Sequence, residues 1–224
     1  MSLFDWLRTV FRPRALQPID KLWLTEEAKF QGIASEIAGV SATTAIVLVA
    51  HFRDTLAQLE TRLEEFDVGV EVISRTKNFL DLLQPRSGEL QVPALATTSE
   101  QLPRFDNELL GFLRFGIQSV ALVVVEKHPL PTYERRVVEF TNLLPCRSRL
   151  SFHTSLEDPM IRILTADWIA DQLRDMGVKE NQALESYIVS REIRLLQQRL
   201  EASCPRPEPA ASAQEWLRVN AQIS

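Results

Sequence analysis

The sequence is poor in cysteine and glycine, with two cysteines and seven glycines in 224 residues. Cys146 and Cys204 lie far apart and outside any CxxC pattern, which argues against a disulfide framework or a structural zinc site and is typical of a reducing compartment. The longest apolar run, residues 45–50 with its flanks, is too short to cross a bilayer, and the chain does not open with a signal-peptide pattern. We therefore predict a cytoplasmic protein without a membrane span.

An excess of positive charge is also lacking. The 25 basic residues are scattered among 30 acidic ones, and the net charge is -5. This distribution gives no electrostatic surface for nucleic acid, so we expect no nucleic-acid partner. The hydrophobic content of 45% is enough to build the core of one large or two small domains.

Short apolar segments alternate with helical patterns over the first two thirds of the chain. Residues 45–50, AIVLVA, are apolar throughout, as in a central strand that helices cover on both faces. Thr25 and Gly39 are placed to cap a helix before this strand, and Thr55 with Gln58 forms a capping box for a helix after it. The alternation predicts an α/β fold, a doubly wound parallel sheet with helices on both faces. The predicted strands are residues 45–50, 68–73, 92–96, 119–125 and 150–153.

The last third of the chain shows helical patterns without strand signals. Residues 161–176 and 183–202 predict two long helices separated by Gly177 and a polar turn. Three prolines between residues 205 and 209 predict a tether, followed by a loosely attached tail helix around Trp216. We divide the chain into an N-terminal amphipathic helix and connector (1–24), an α/β domain (25–158), a helical segment (159–202) and a tether with a short tail helix (203–224).

Residues 151–200 contain the most specific motifs of the sequence. The run SLED at 155–158 is followed by MIRI at 160–163 and ADWI at 166–169, and Glu157 and Asp158 are expected to cap the helix after them. Leu184, Val189, Ile193 and Gln197 follow at separations of five, four and four residues. These motifs resemble the junction in SecA, the bacterial preprotein translocase motor, where the second ATPase lobe enters the scaffold helix. The resemblance implies a RecA-like second motor lobe followed by the start of a helical scaffold.

The residues with which SecA motors hydrolyse ATP are missing. None of the seven glycines precedes a lysine, so there is no phosphate-binding GxxxxGK[ST] loop. The GRGTD-like loop of the family would fall near residues 96–102, and its QLRGRSGRQG run over residues 138–144, which contain neither arginine nor glycine. We therefore expect no enzymatic activity and no bound cofactor. The resemblance implies a non-catalytic pseudoenzyme that acts in protein interaction or regulation related to preprotein transport.

A second interpretation keeps nucleotide binding. The chain could be the ATP-binding part of a preprotein translocase whose phosphate site is completed in trans by a full-length SecA, so that ATP or ADP binds only with the partner. In both interpretations the expected partner is a protein, either a full-length SecA or a preprotein.

Three histidines follow apolar segments that we interpret as strands: His51, His128 and His153. All three could stand along the carboxyl edge of the sheet, where α/β proteins bind ligands, with Asp54 or Glu126 as an additional oxygen ligand. Their spacing matches no compact metal motif, and each could equally cap a strand or face water. We therefore assign no metal ligand and no catalytic residue, and keep the three histidines as cofactor-site candidates.

The first residues form an amphipathic pattern with arginines on its polar side. Such a segment can lie in a membrane interface, which would make the protein peripheral, or it can dock onto its own domain. The apolar residues available for weak membrane contact are Leu3, Phe4, Trp6, Leu7 and Phe11.

Overall fold

The computed structural model describes residues 17–73, 94–103, 119–144, 146–165 and 169–223. The strands are β1 (Ile19–Trp23), β2 (Thr44–Ala50), β3 (Val70–Val72), β4 (Ala94–Thr98), β5 (Ser119–Val124) and β6 (Arg147–Ser155). The helices are α1 (Glu26–Ala38), α2 (Arg53–Glu64), α3 (Pro131–Leu143), α4 (Pro159–Arg162), α5 (Ile169–Asp175), α6 (Tyr187–Ser203) and α7 (Ala213–Trp216), which continues as a π-helical turn over Leu217–Ala221.

The six strands form one parallel sheet in the order β1-β6-β5-β2-β4-β3. β2 lies inside the sheet, and its side chains alternate between the two faces because successive residues of a strand point in opposite directions. Ile46 and Leu48 pack with α1 and α2, whereas Val47 and Val49 pack with α3 on the other face. The predicted fold class, a RecA-like doubly wound parallel sheet with helices on both faces and a helical segment after it, is confirmed.

Helix α1 begins and ends where the sequence predicts. Thr25 Oγ1 accepts a hydrogen bond from Ala28 N at 3.1 Å, and Gly39 forms the C-cap. The capping box predicted for α2 is wrong, because Phe52 is the N-cap residue and Thr55 lies inside the first turn. The Thr55 hydroxyl bonds instead to Glu126, 71 residues away.

The structure contains two elements that the sequence did not predict. β1 falls within the segment predicted as a connector, and α3 follows β5 where no helix was predicted. The single helix predicted over residues 161–176 is replaced by α4 and α5. The predicted N-terminal helix, including Leu3, Phe4, Trp6, Leu7 and Phe11, lies outside the described residues.

The tail packs firmly on the rest of the chain, so the prediction of loose attachment is wrong. Trp216 and Leu217 are each 3% exposed and share a hydrophobic cluster with Phe52 of the α2 N-terminus and Leu196 and Leu200 of α6. A second cluster joins β1 and α6 through Leu22, Leu24 and Ile193. The domain boundaries at residues 24, 158 and 202 stay a prediction. Within the part of the chain that the structure describes, no helix is long and apolar enough to span a membrane.

Candidate functional site at the carboxyl ends of β2 and β5

After β2, the chain adds β3 and β4 on one side of it and then crosses back, so that β5 and β6 lie on the other side. β2 leads into α2 on one face of the sheet, whereas β5 leads into α3 on the opposite face. Because β2 and β5 are neighbours, the loops that follow them run to opposite faces of the sheet, and we call the region beyond their carboxyl ends the β2/β5 crevice; the side chains that border it are buried. In open α/β sheets this topological switch point is where ligands bind. The crevice is bordered by His51, Phe52, Glu126 and His128.

Glu126 places its carboxylate at the N-terminus of α2. Its Oε1 accepts hydrogen bonds from the backbone N–H groups of His51 (2.8 Å) and Phe52 (3.1 Å), and its Oε2 accepts from Thr55 Oγ1 (2.8 Å). A helix N-terminus attracts anions because its first N–H groups are unsatisfied and its dipole is positive there. Glu126 therefore occupies a position that suits a phosphate or another anion.

Burial changes the pKa of the Glu126 carboxylate. The loss of solvent raises the pKa of Glu126 to about 7, although hydrogen bonds from His51 and Thr55 and the charge of Lys29 act in the opposite direction. A group with such a pKa changes charge near neutral pH, as functional carboxylates often do.

His51 and His128 lie together in the crevice, as their positions after two neighbouring strands predict. Their ring centroids are 5.6 Å apart, and the His128 ring stacks between Phe52 at 4.9 Å and Tyr133 at 3.8 Å. His51 Nδ1 is 3.0 Å from Ser99 Oγ, at the end of β4, while its buried Nε2 has no hydrogen-bond partner among the described residues. Burial lowers the pKa of His128 to about 3 and that of His51 well below its usual value, so both rings are neutral at pH 7.

His153 does not join the other two histidines. It lies inside β6, where the alternation of the strand turns its side chain toward α1. Its Nδ1 accepts from Trp23 Nε1 at 3.2 Å, and its Nε2 is 3.0 Å from Glu36 Oε2. Burial lowers the pKa of His153, and although burial raises that of Glu36, hydrogen bonds from His153 and Lys21 bring it to about 2. This histidine forms part of a packed network beside β1.

The loop after β5 connects the crevice to α6. Lys127 Nζ pairs with Asp20 Oδ1 (2.8 Å) and Glu134 Oε2 (3.2 Å) and lies 3.7 Å from the centre of the Phe152 ring. Gln197 of α6 donates to the carbonyl oxygen of His128 at 2.9 Å and to Glu134. The SecA-like residue Gln197 thus ties the helical segment to the loop that forms the site.

The SLED motif has a second connecting role. Asp158 Oδ1 pairs with Lys29 Nζ at 2.6 Å, and both side chains are almost completely buried. Asp158 also accepts from the backbone N–H and hydroxyl of Ser155, and it makes no side-chain cap bond to α4. Glu157 accepts from Glu26 N at the start of α1. Asp158 thus occupies the expected N-cap position of α4, but neither carboxylate caps that helix, because the side chains of Glu157 and Asp158 bind Glu26 N and Lys29 of α1 instead.

Of the two segments where the SecA loops would fall, residues 96–102 lie close to this site. Residues 96–102 include the end of β4 and the turn after it, where Ser99 N donates to Ala50 O at 2.8 Å. Residues 138–144 belong mostly to α3. Arg136, also on α3, donates to the carbonyl oxygens of Glu100 (2.6 Å) and Leu102 (3.2 Å) and so holds the turn in place.

Sequence reasoning missed Ser99, Tyr133, Arg136 and Trp216 at this site. The one available signal was that Ser99 lies three residues after the end of the predicted strand 92–96; it directly follows the observed β4. No group of three or more His, Cys, Asp or Glu side chains is placed to hold a metal ion in the described ranges. Asp54 is exposed on α2, and Glu126 is committed to the helix N-terminus.

Comparisons with known proteins give a short but specific similarity. No protein-family model matches the chain. A segment of 51 residues is 43% identical to the protein translocase subunit SecA of Stenotrophomonas maltophilia (strain R551-3) and of Xanthomonas campestris pv. campestris (strain B100). The match covers 23% of this chain and 6% of each relative. Among solved structures, the C-terminal part of the Fun30 ATPase domain is similar with a TM-score of 0.40 and 12% identity, covering 78% of this chain and 54% of that one.

The prediction that the chain is not an enzyme is wrong. The 51-residue segment that matches the protein translocase subunit SecA points toward an ATPase-like motor domain. The similarity supports a relation to protein translocation and reaches no further, because it covers a small part of each relative.

Proposed function

We propose that the chain is a motor lobe of the ATPase type, related to protein translocation, that binds ATP or ADP at the β2/β5 crevice together with a second lobe. The observation that carries the proposal is the change in strand order between β2 and β5. This position is a topological switch point, and α2, a 12-residue helix, begins there.

The second lobe is needed because this chain lacks the groups that hold a triphosphate. The sequence contains no GxxxxGK[ST] loop, and the N–H groups of His51 and Phe52 are already bound by Glu126. A lobe in the same or another polypeptide would therefore supply the phosphate-binding loop. A full-length SecA is the candidate that the segment similarity suggests.

Exposed apolar side chains favour binding of a protein partner. Tyr187 and Ile188 at the start of α6 are 78% and 71% exposed, and Met176 is 73% exposed. Neighbouring exposed apolar side chains, such as Tyr187 and Ile188, are a contact surface for another molecule when they form a contiguous patch. A full-length SecA or a preprotein is the partner we propose. Weak contact with a membrane surface is a secondary part of the proposal, through Leu3, Phe4, Trp6, Leu7 and Phe11.

The test is titration of ADP, followed by calorimetry, into this chain alone, SecA alone and their mixture. We expect the mixture to bind more ADP, or to bind it more tightly, than SecA alone. Heats of the mixture that equal those of SecA alone would contradict the proposal.

A variant pair identifies the site within this chain. Arg136→Gln removes the two hydrogen bonds that hold the turn at residues 100–102 beside the site. Because the turn is then no longer held in position, the additional ADP binding should weaken roughly tenfold. Arg135→Gln removes the neighbouring arginine, which pairs with Glu201 on the surface, and should leave binding unchanged. Equal binding by the two variants would place the nucleotide elsewhere.

A further inference from the structure

The C-terminal segment, residues 205–223, lies across the crevice. The carbonyl oxygen of Ala211 accepts a hydrogen bond from Asp54 N at 3.1 Å, so this segment holds a first-turn donor of α2 beside the two that Glu126 holds. Trp216 reaches the other side of the crevice, where its ring centroid lies 6.0 Å from that of His128. A ligand entering the crevice at the N-terminus of α2 would meet this segment first.

The segment is built as a unit of its own. Ser212 caps Glu215 N, Glu215 accepts from Ala211 N, and the Asn220 amide bonds to the backbone of Glu208 and Trp216. These side-chain hydrogen bonds close within the segment. Its contact with the rest of the chain is chiefly apolar, through Ala213, Trp216 and Leu217.

The connection to α6 allows the unit to move as a whole. Residues 205–209 contain three prolines and are exposed. A segment that keeps its own polar bonds can separate from an apolar surface without leaving buried donors unsatisfied, so opening costs less than unfolding of the sheet.

Under the crevice, His51 Nε2 is buried and has no hydrogen-bond partner among the described residues. Native proteins seldom leave such an atom unpaired, and an unpaired polar group at a switch point is a candidate contact for a ligand. It adds an observation independent of the helix N-terminus.

We propose that residues 205–223 are a lid that closes the β2/β5 crevice and must open before a phosphate-bearing ligand binds at the N-terminus of α2. This inference rests on the proposed function, because it regulates the same site. The second lobe then acts on a closed domain, and nucleotide binding includes displacement of the lid.

A reversible disulfide tests the lid in the folded protein. Asp54→Cys and Ala211→Cys, in a Cys146→Ser and Cys204→Ser background, place a cysteine on each side of the existing backbone hydrogen bond. With SecA present, oxidation should lower the additional ADP binding at least tenfold, and reduction with dithiothreitol should restore it. The cysteine-free background, treated in the same way, is the control.

A second pair of variants loosens the lid instead of locking it. Trp216→Ala removes its buried anchor and should strengthen ADP binding at least threefold, whereas Val219→Ala, at a position 36% exposed on the same segment, should have no effect. Equal binding by the oxidised and reduced clamp overturns the lid and leaves the proposed function standing. Absence of SecA-dependent ADP binding from every variant overturns both.

Discussion

Glu126 combines two properties that oppose each other. Its carboxylate completes the N-terminus of α2, which favours the charged form, yet it is buried away from water, which disfavours that form. Burial is the larger influence, because the pKa of Glu126 is raised to about 7. The folded protein therefore binds a proton that the unfolded chain releases nearer pH 4.5.

This difference predicts how Glu126 affects stability with pH. Since the pKa is raised on folding, its stabilising contribution is complete below pH 4.5 and is lost as the pH rises to about 7, by about 3 kcal/mol. Glu126→Gln should abolish this loss. The measurement is the free energy of urea unfolding of both proteins from pH 4 to pH 8, where their difference should change by that amount.

Two histidines act in the opposite direction, so a comparison of variants is needed. The pKa values of His51 and His128 are lowered by burial, and their contribution is therefore lost as the pH falls below 6.5. It cancels in the difference between wild type and Glu126→Gln. Glu60→Gln, on the exposed face of α2, is the matched control and should give a difference that does not vary with pH. A constant difference for Glu126→Gln as well would show that the carboxylate is not desolvated.

At the scale of elements, α1 is positioned by a close contact with β1. The Trp23 ring lies directly against Gly32, where an added Cβ would stand 2.0 Å from Trp23 Cζ2. Trp23 cannot easily move, because it is 6% exposed and donates a hydrogen bond to His153. Glycine at this position lets helix and strand approach.

Gly32→Ala should therefore destabilise the protein by about 1–3 kcal/mol despite the better helix propensity of alanine, because overpacking outweighs it. Gly69→Ala is the matched control, since no atom lies within 4 Å of its added Cβ, and its effect should stay below about 1 kcal/mol. Urea unfolding of the two variants provides the measurement. Equal stability would mean that α1 can shift away from β1 at little cost.

The elements also show which features a sequence can predict. The caps Thr25 and Gly39 act within their own helix, so local pattern was sufficient to find them. β1 contains Asp20 and Lys21, and its place in the sheet depends on partners far along the chain, including Lys127. The same long-range effect overrides the Thr55 capping box, because Glu126 arrives from the loop after β5.

The candidate site was predictable to a similar extent. His51 and His128 were expected to meet because both follow strands, and parallel strands end at one edge. His153 stays apart because it lies within β6, and the strand boundary could not be located from residues 150–153 alone. Tyr133 and Trp216 come from α3 and the tail, whose positions depend on packing that has no local sequence signal.

At the scale of the whole molecule, the helical segment and the sheet share their cores. Leu196 and Leu200 of α6 pack with Phe52 and Leu130, and Ile193 packs with Leu22 and Leu24. Gln197 adds polar contacts to His128 and Glu134. Elements that share a core in this way unfold together, so α6 and the sheet should behave as one cooperative unit.

Gln197→Met tests this coupling because it keeps the length of the side chain and removes both hydrogen bonds. Loss of the bonds leaves a buried carbonyl oxygen and a carboxylate with fewer partners, and should cost about 1–3 kcal/mol. The urea midpoint should fall equally when unfolding is followed by far-ultraviolet circular dichroism and by tryptophan fluorescence. Gln198→Met, at the adjacent exposed position, should leave the midpoint unchanged. If the two probes separate in Gln197→Met or in the wild type, α6 unfolds independently, and the loop after β5 cannot transmit a change at the crevice to the helical segment.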